Sequence, residues 1–152
     1  HDADCVRFIL DDEIAEVTAM TAAQGMGEGV EDAVMGVMRT QQGRLVQFHD
    51  SFTSRHSYTG FEVHGTEGSL YGRNVMTQQP VGSVVLRRNG QDEEIVVTPE
   101  NLYERSVQRF NAAVAGAGEP SATARDGLCS LAVALAARES ARTGRVVQVP
   151  AI

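Results

Sequence analysis

The sequence has no tryptophan and no lysine, so all 13 of its basic residues are arginines. Without lysine this segment can form no Schiff base, offers no lysine general acid and lacks the lysine of a phosphate-binding loop. Cysteine is scarce too. Cys5 and Cys129 lie in separate apolar stretches, which reads as two buried thiols in a reducing compartment rather than a disulfide, and makes a cytoplasmic location the expectation. No apolar run approaches the roughly 20 residues of a membrane-spanning helix. The first residues are amphipathic rather than a charged segment followed by an apolar one, so no signal peptide is visible. With 20 acidic residues and a net charge of -7, the chain is poorly suited to tracking phosphates, which argues against nucleic acid as a partner.

What is present suits one ordinary soluble domain: 152 residues, 42% of them hydrophobic. Cys5, Val6, Ile9 and Leu10 fall at helical spacing, so residues 2–10 read as a short amphipathic helix ended by Asp11 and Asp12. Residues 13–22 read as a strand, and GMGEGVE (25–31) as a turn-like connection. Its alternate glycines resemble a phosphate loop only superficially, since no Val/Ile-rich strand leads in and the next segment is also a strand. Hairpins follow: 32–40 with 44–52 around Gly43, 59–65 with 69–72 around Thr66-Glu67-Gly68, and SVVLRRN with EEIVVT around Asn89-Gly90. Two helices come next. Thr98-Pro99-Glu100 offers an N-cap and a proline at the first helical position, followed by the stripe Tyr103, Val107, Phe110 and Val114, which Gly116 and Gly118 end. The second, about 124–142, carries Leu128, Leu131 and Leu135 among alanines and stops at Gly144, before a last strand at 145–149.

Strands grouped in the middle, helices at both ends and no βαβ alternation indicate an α+β fold with one open, mainly antiparallel sheet and helices on one face. Met35, Val37, Leu45, Phe48, Val63, Val84 and Leu86 supply enough apolar side chains for the other face to meet a second subunit, although the same residues would also fill the helix-side core.

Few residues suit chemistry. His1 and Asp4 stand three apart, which on a helix brings imidazole and carboxylate to one face; a histidine can exchange a proton with a substrate hydroxyl while the carboxylate holds another. The same spacing also fits a mere acidic first turn favoured by the helix dipole. A third reading takes the amine and imidazole of His1, with a later histidine, as a copper brace, against which the acidic helix beginning at residue 2 and the lack of disulfide-braced character weigh; HDAD and the other histidines also lack any recognisable zinc spacing. The stretch DSFTSRHSYTG (50–60) concentrates Arg55, His56, Ser57 and Tyr58, which suits either a ligand-lining loop or a solvated one. His64, mid-strand before Gly65, reads as structural; His49 stays open.

Three segments together resemble one family. HDADCVRFIL is similar to the H-x-x-D-x-x-x-x-L segment that opens the second domain of the glucose-fructose oxidoreductase and inositol dehydrogenase (Gfo/Idh/MocA) superfamily. FEVHGTEGSLYG resembles its strand, G-T-x-G-S-L turn and strand, and YERSVQRFNAAVAGAGEPSATARDGLCSLAVALAARESARTGRVVQV its last two helices and final strand. The likeness spans essentially all of residues 1–152, which implies that the chain is the family's C-terminal domain, with a sheet of the dihydrodipicolinate-reductase type.

The resemblance implies an N-terminal Rossmann domain, absent from this chain, that binds NAD or NADP, with substrate between the two domains and subunit contacts through the open sheet of a homo-oligomer. It implies that His1 is the proton-transfer residue, that Asp4 touches substrate, and that an E-K-P lysine and the aspartate of D-x-x-x-H precede residue 1. Substrate-facing positions fall by count around Arg55, His56 and Ser57, where inositol-type members often place tyrosines, so a cyclitol fits this sequence less well. The expected activity is dehydrogenation of a sugar, cyclitol or dihydrodiol hydroxyl by the full-length protein, this fragment alone being inactive. The alternative from another class is a non-catalytic dimerisation module with a solvated polar loop.

Overall fold

The computed structural model describes residues 1–152, which form three helices and eight strands. In chain order these are α1 (Asp2–Leu10), β1 (Ile14–Ala22), β2 (Ala33–Thr40), β3 (Leu45–Ser51), β4 (Gly60–His64), β5 (Ser69–Arg73), β6 (Ser83–Arg88), β7 (Gln91–Ile95), α2 (Leu102–Val114), α3 (Ala124–Thr143) and β8 (Val147–Gln148). The α+β class and the open antiparallel pairing agree with the sequence. The single expected sheet is instead two four-stranded sheets, ordered β3-β2-β1-β8 and β4-β5-β6-β7. Turn chemistry marks each hairpin, but no local signal says whether neighbouring hairpins share a ladder. The chain accordingly divides into a first unit, His1–Arg55 with Ala122–Ile152, and a second, His56–Ser121.

In the first unit the alternation of β1 turns Val17 and Ala19 inward, and Met38 of β2 joins them, at 1%, 4% and 2% exposure. Onto this surface α3 lays a face of small residues, Cys129, Ala132, Val133, Ala136 and Ser140, which lets helix and sheet approach closely. The alanine content of this helix indicates such close packing; Leu128, Leu131 and Leu135 lie off that face, about half exposed, and line an apolar cavity of about 430 Å³ with Val147, Pro150 and Ile152. Large side chains would have held the helix off the sheet. A β-carbon at Gly36 would lie 2.6 Å from the Phe48 ring, so the missing side chain there is what lets Phe48 cross β2.

Polar groups fix the ends of these elements. The fully buried Ser140 hydroxyl accepts from the Ala19 N–H (3.0 Å) and donates to the Arg145 carbonyl (2.6 Å), tying α3 to β1 and to the turn that Gly144 makes at φ 68°. Asp32, 5% exposed, accepts from the Gln24 and Met26 N–H groups at 2.7 and 2.9 Å and so orders the 25–31 connection. These bonds, that from Met26 foremost, hold its carboxyl below the ordinary 3.8 despite burial.

In the second unit Asn89 and Gly90, at φ 54° and 78°, make the tight turn their sequence signals, and no residue of α2 is buried. The helix begins three residues later than Thr98-Pro99-Glu100 suggests, because Asn101 is the better cap: its side chain accepts from the Tyr103 and Glu104 N–H groups. Its stripe, Tyr103, Val107, Phe110 and Val114, is exposed.

Candidate active site

The site is built from α1. At nine residues this helix is too short to persist alone, and it is held because Ala3 and Val6 pack on the core of the first unit while Asp11, in the left-handed region at φ 47°, turns the chain toward β1. His1 is its N-cap residue by position, with its carbonyl accepting from the Cys5 N–H at 2.9 Å. Its imidazole makes no capping bond, which leaves the exposed ring available to a ligand. One turn on, Asp4 keeps a carboxylate 48% exposed, 3.5 Å from the Arg7 guanidinium.

Two groups that sequence reasoning passed over complete this end of the unit. Asp50 follows Phe48 by two residues on β3 and so faces the helix side of the sheet, where its carboxyl shares a hydrogen bond with Asp2. Burial first, then the Asp50 charge and that shared bond, raise the pKa of Asp2 above the ordinary 3.8. Arg7 is the other. It forks onto Glu13 (2.7 and 3.0 Å) and bonds Asp126 (3.3 Å) with its side chain only 10% exposed. An arginine three residues after an aspartate in a helix that ends at two further acids signals an ion pair, but the 119-residue separation from Asp126 is invisible locally. Beside them, burial and then the charges of Asp2 and Asp4 push the Cys5 thiol up, away from the thiolate a nucleophile requires.

The other expected site residues are placed differently. Arg55, His56 and Ser57 are exposed on the connection between β3 and β4, and their side chains make no hydrogen bond within the chain. Arg55 closes the first segment of the first unit, while His56 and Ser57 open the second unit. His49 lies exposed on β3 opposite Met35. His64 has the structural role its sequence suggested, with its Nδ1 3.0 Å from the Ser69 hydroxyl across the ladder, Nε2 3.3 Å from Glu62 and its ring edge-on to Tyr71. No three His, Cys, Asp or Glu side chains converge as metal ligands do. No helix is long and apolar enough to cross a membrane.

The arrangement presents an exposed imidazole, a group able to exchange protons, and carboxylates, groups able to accept from hydroxyls. The chain is similar to several known proteins. A 1,5-anhydro-D-fructose reductase of Ensifer adhaerens is 53% identical over 150 residues, 98% of this chain and 45% of the relative. An inositol 2-dehydrogenase of Rhizobium meliloti is 28% identical over 98% of the chain and 47% of its own length. The chain thus spans about half the length of the curated relatives it matches. Among solved structures, aldose-aldose oxidoreductase from Caulobacter crescentus, in complex with glycerol, superposes with a TM-score of 0.83 at 19% identity, over 95% of this chain and 44% of that one. An oxidoreductase from Agrobacterium radiobacter, in complex with NAD+, L-tartaric acid and magnesium, gives 0.79 at 23% identity, over 98% and 47%. The model of the oxidoreductase family's C-terminal alpha/beta domain matches residues 1–149, and the chain therefore belongs to the Gfo/Idh/MocA oxidoreductase family.

Proposed function

We propose that this chain is the substrate-binding part of a full-length NAD(P)-dependent oxidoreductase that interconverts a carbonyl and a hydroxyl on a sugar, with 1,5-anhydro-D-fructose or a close keto sugar as substrate. The 53% identity to a reductase of that sugar, with the His1–Asp4 turn open to solvent, carries the reading. Within this chain the glycine-rich stretch does not fit a dinucleotide. Gly25 and Gly29, at φ 109° and 73°, belong to a connection between two antiparallel strands, with no helix N-terminus to receive a pyrophosphate. The nucleotide is accordingly assigned to a Rossmann domain in the part of the protein that this chain does not cover.

What the chain's own residues contribute is proton transfer and positioning. In reduction His1 gives a proton to the carbonyl oxygen as it becomes a hydroxyl; in oxidation it takes that proton back. Asp4 accepts from a neighbouring sugar hydroxyl and so contributes chiefly to holding the sugar at the site. Arg55, in the same unit as His1 and Asp4, supplies a further donor to hydroxyls as part of the same reading.

The test is turnover by the full-length protein. Reduction of 1,5-anhydro-D-fructose with NADH or NADPH, and Asp4→Asn raising KM for the sugar with little change in kcat, are the expected results. Full-length protein that turns over no keto sugar or polyol with either nucleotide would overturn the assignment. A subunit-contact role for the open sheet belongs to the same proposal, supported by Met20, Met35, Val37 and Leu45, all more than half exposed on one face of β1–β3. A monomer by sedimentation equilibrium would remove it.

A further inference from the structure

Apolar packing holds α1 down but does not fix its rotation. Ala3 and Val6 would keep their contacts with the core through a modest turn about the helix axis, while Asp4 and His1 would swing with the surface. Hydrophobic contact is non-directional, so something else must set that angle.

The chain supplies a directional group at the right place. Arg7 lies one turn beyond Asp4, and its planar guanidinium meets carboxylates from three segments: Asp4 in α1, Glu13 just before β1, and Asp126 in the first turn of α3. Glu13 is gripped at two points, so the plane of the fork is defined. Asp126 is itself immobilised, since its carboxylate accepts from the Thr123 N–H (2.8 Å) and hydroxyl (2.7 Å) in the box that caps α3. The fork therefore refers α1 to two elements whose own positions are settled by the core. With Arg7 nearly covered, these bonds face little competition from water. The Asp4 contact, at 3.5 Å, is the longest of the set, an ion pair that aims the carboxylate without occupying it, so its oxygens stay available to a hydroxyl.

We infer that Arg7 is the positioning residue of the substrate site, its guanidinium setting both the rotation of α1 and the aim of the Asp4 carboxylate. This rests on the reading that His1 and Asp4 meet the substrate. Arg7 itself touches no substrate; it acts through Asp4 and the helix.

The experiment uses the full-length protein with 1,5-anhydro-D-fructose and compares wild type, Arg7→Met, Arg7→Lys, Glu13→Gln and His1→Ala for kcat, KM and nucleotide affinity, with hydrogen exchange over residues 2–10. Arg7→Met is expected to raise sugar KM and lower kcat/KM by roughly tenfold to a hundredfold, the scale of an ångström-sized misplacement. Nucleotide affinity should stay at the wild-type value and α1 amides should exchange faster. Arg7→Lys should recover only part of the loss, because an ammonium restores charge but not the fork. Glu13→Gln, which leaves Arg7 and Asp4 in place, should shift KM in the same direction by less, and it keeps the inference testable if Arg7→Met does not fold. Folded Arg7→Met with a lowered Tm but wild-type KM, kcat and α1 exchange would overturn the inference and leave a purely structural brace. Loss of turnover in His1→Ala beside unaffected arginine variants would overturn the inference alone. A His1→Ala enzyme as active as wild type would overturn the underlying reading of the site, while the exchange data would still judge the brace.

Discussion

The two units are each built on four antiparallel strands, yet they are supported in opposite ways. Every buried residue of the chain except Gly72 of β5, from Ile14 and Val17 to Val133 and Ser140, lies in the first unit, whereas the sheet of β4–β7 buries no side chain and α2 leaves its apolar stripe more than half exposed. A sheet becomes a stable platform when one face is covered by a helix or a second sheet, and the second unit has no such cover within itself. The difference explains where a site can be held to fine tolerance. Residues on α1 are referenced to a packed core through Ala3, Val6 and Arg7; His56 and Ser57 open the unit that lacks one.

The contrast can be broken most sharply by removing apolar volume. Met38→Ala, at a residue 2% exposed, should cost about 2–5 kcal/mol. Leu86→Ala, on the half-buried face of β6, should cost clearly less. Native-state hydrogen exchange on the full-length protein reads both, and equal losses would contradict the comparison. A smaller effect comes from the polar ties of the first unit. Ser140→Ala strands the Ala19 N–H and the Arg145 carbonyl in a dry environment, which should cost about 1–3 kcal/mol. A thermal midpoint that does not move would show that water replaces the hydroxyl.

The smallest effect in the neutral range is on pH. The Arg7 fork, foremost, and its charge hold the Glu13 carboxyl below its ordinary 4.5, and bonds led by the Met26 N–H hold Asp32 below 3.8. A folded-state pKa below the unfolded value means that these groups bind protons more readily when unfolded. Their stabilisation is present above about pH 4.5 and 3.8 respectively, and is lost as pH falls through the lower folded values. Amides of β1 and α1 should lose protection on acidification below that range, as measured by exchange at a series of pH values; protection that persists to pH 2 would contradict it.

Much of this architecture was legible locally. Asn89-Gly90 and Gly43 announced their turns, Gly144 its helix end, and the Val6, Ile9, Leu10 spacing the helix that carries His1. These signals act over a few residues, so a single sequence displays them. The alanines of α3 announced close packing, but which of them meet β1 is decided by tertiary fit. The separation into two sheets was hidden for a related reason: pairing between hairpins is decided by tertiary fit. At the site, His1 and Asp4 stood out by spacing, while Asp50 and Asp126, brought to α1 from β3 and α3, became visible only on folding.

The central claim is that the imidazole at the start of α1 moves the proton of the reaction. Steady-state turnover of full-length His1→Ala against wild type, with α1 exchange confirming an intact helix, tests it most directly. The account predicts a loss of about a hundredfold or more in kcat, as removal of a general acid or base ordinarily gives; a folded variant that turns over at the wild-type rate would contradict it.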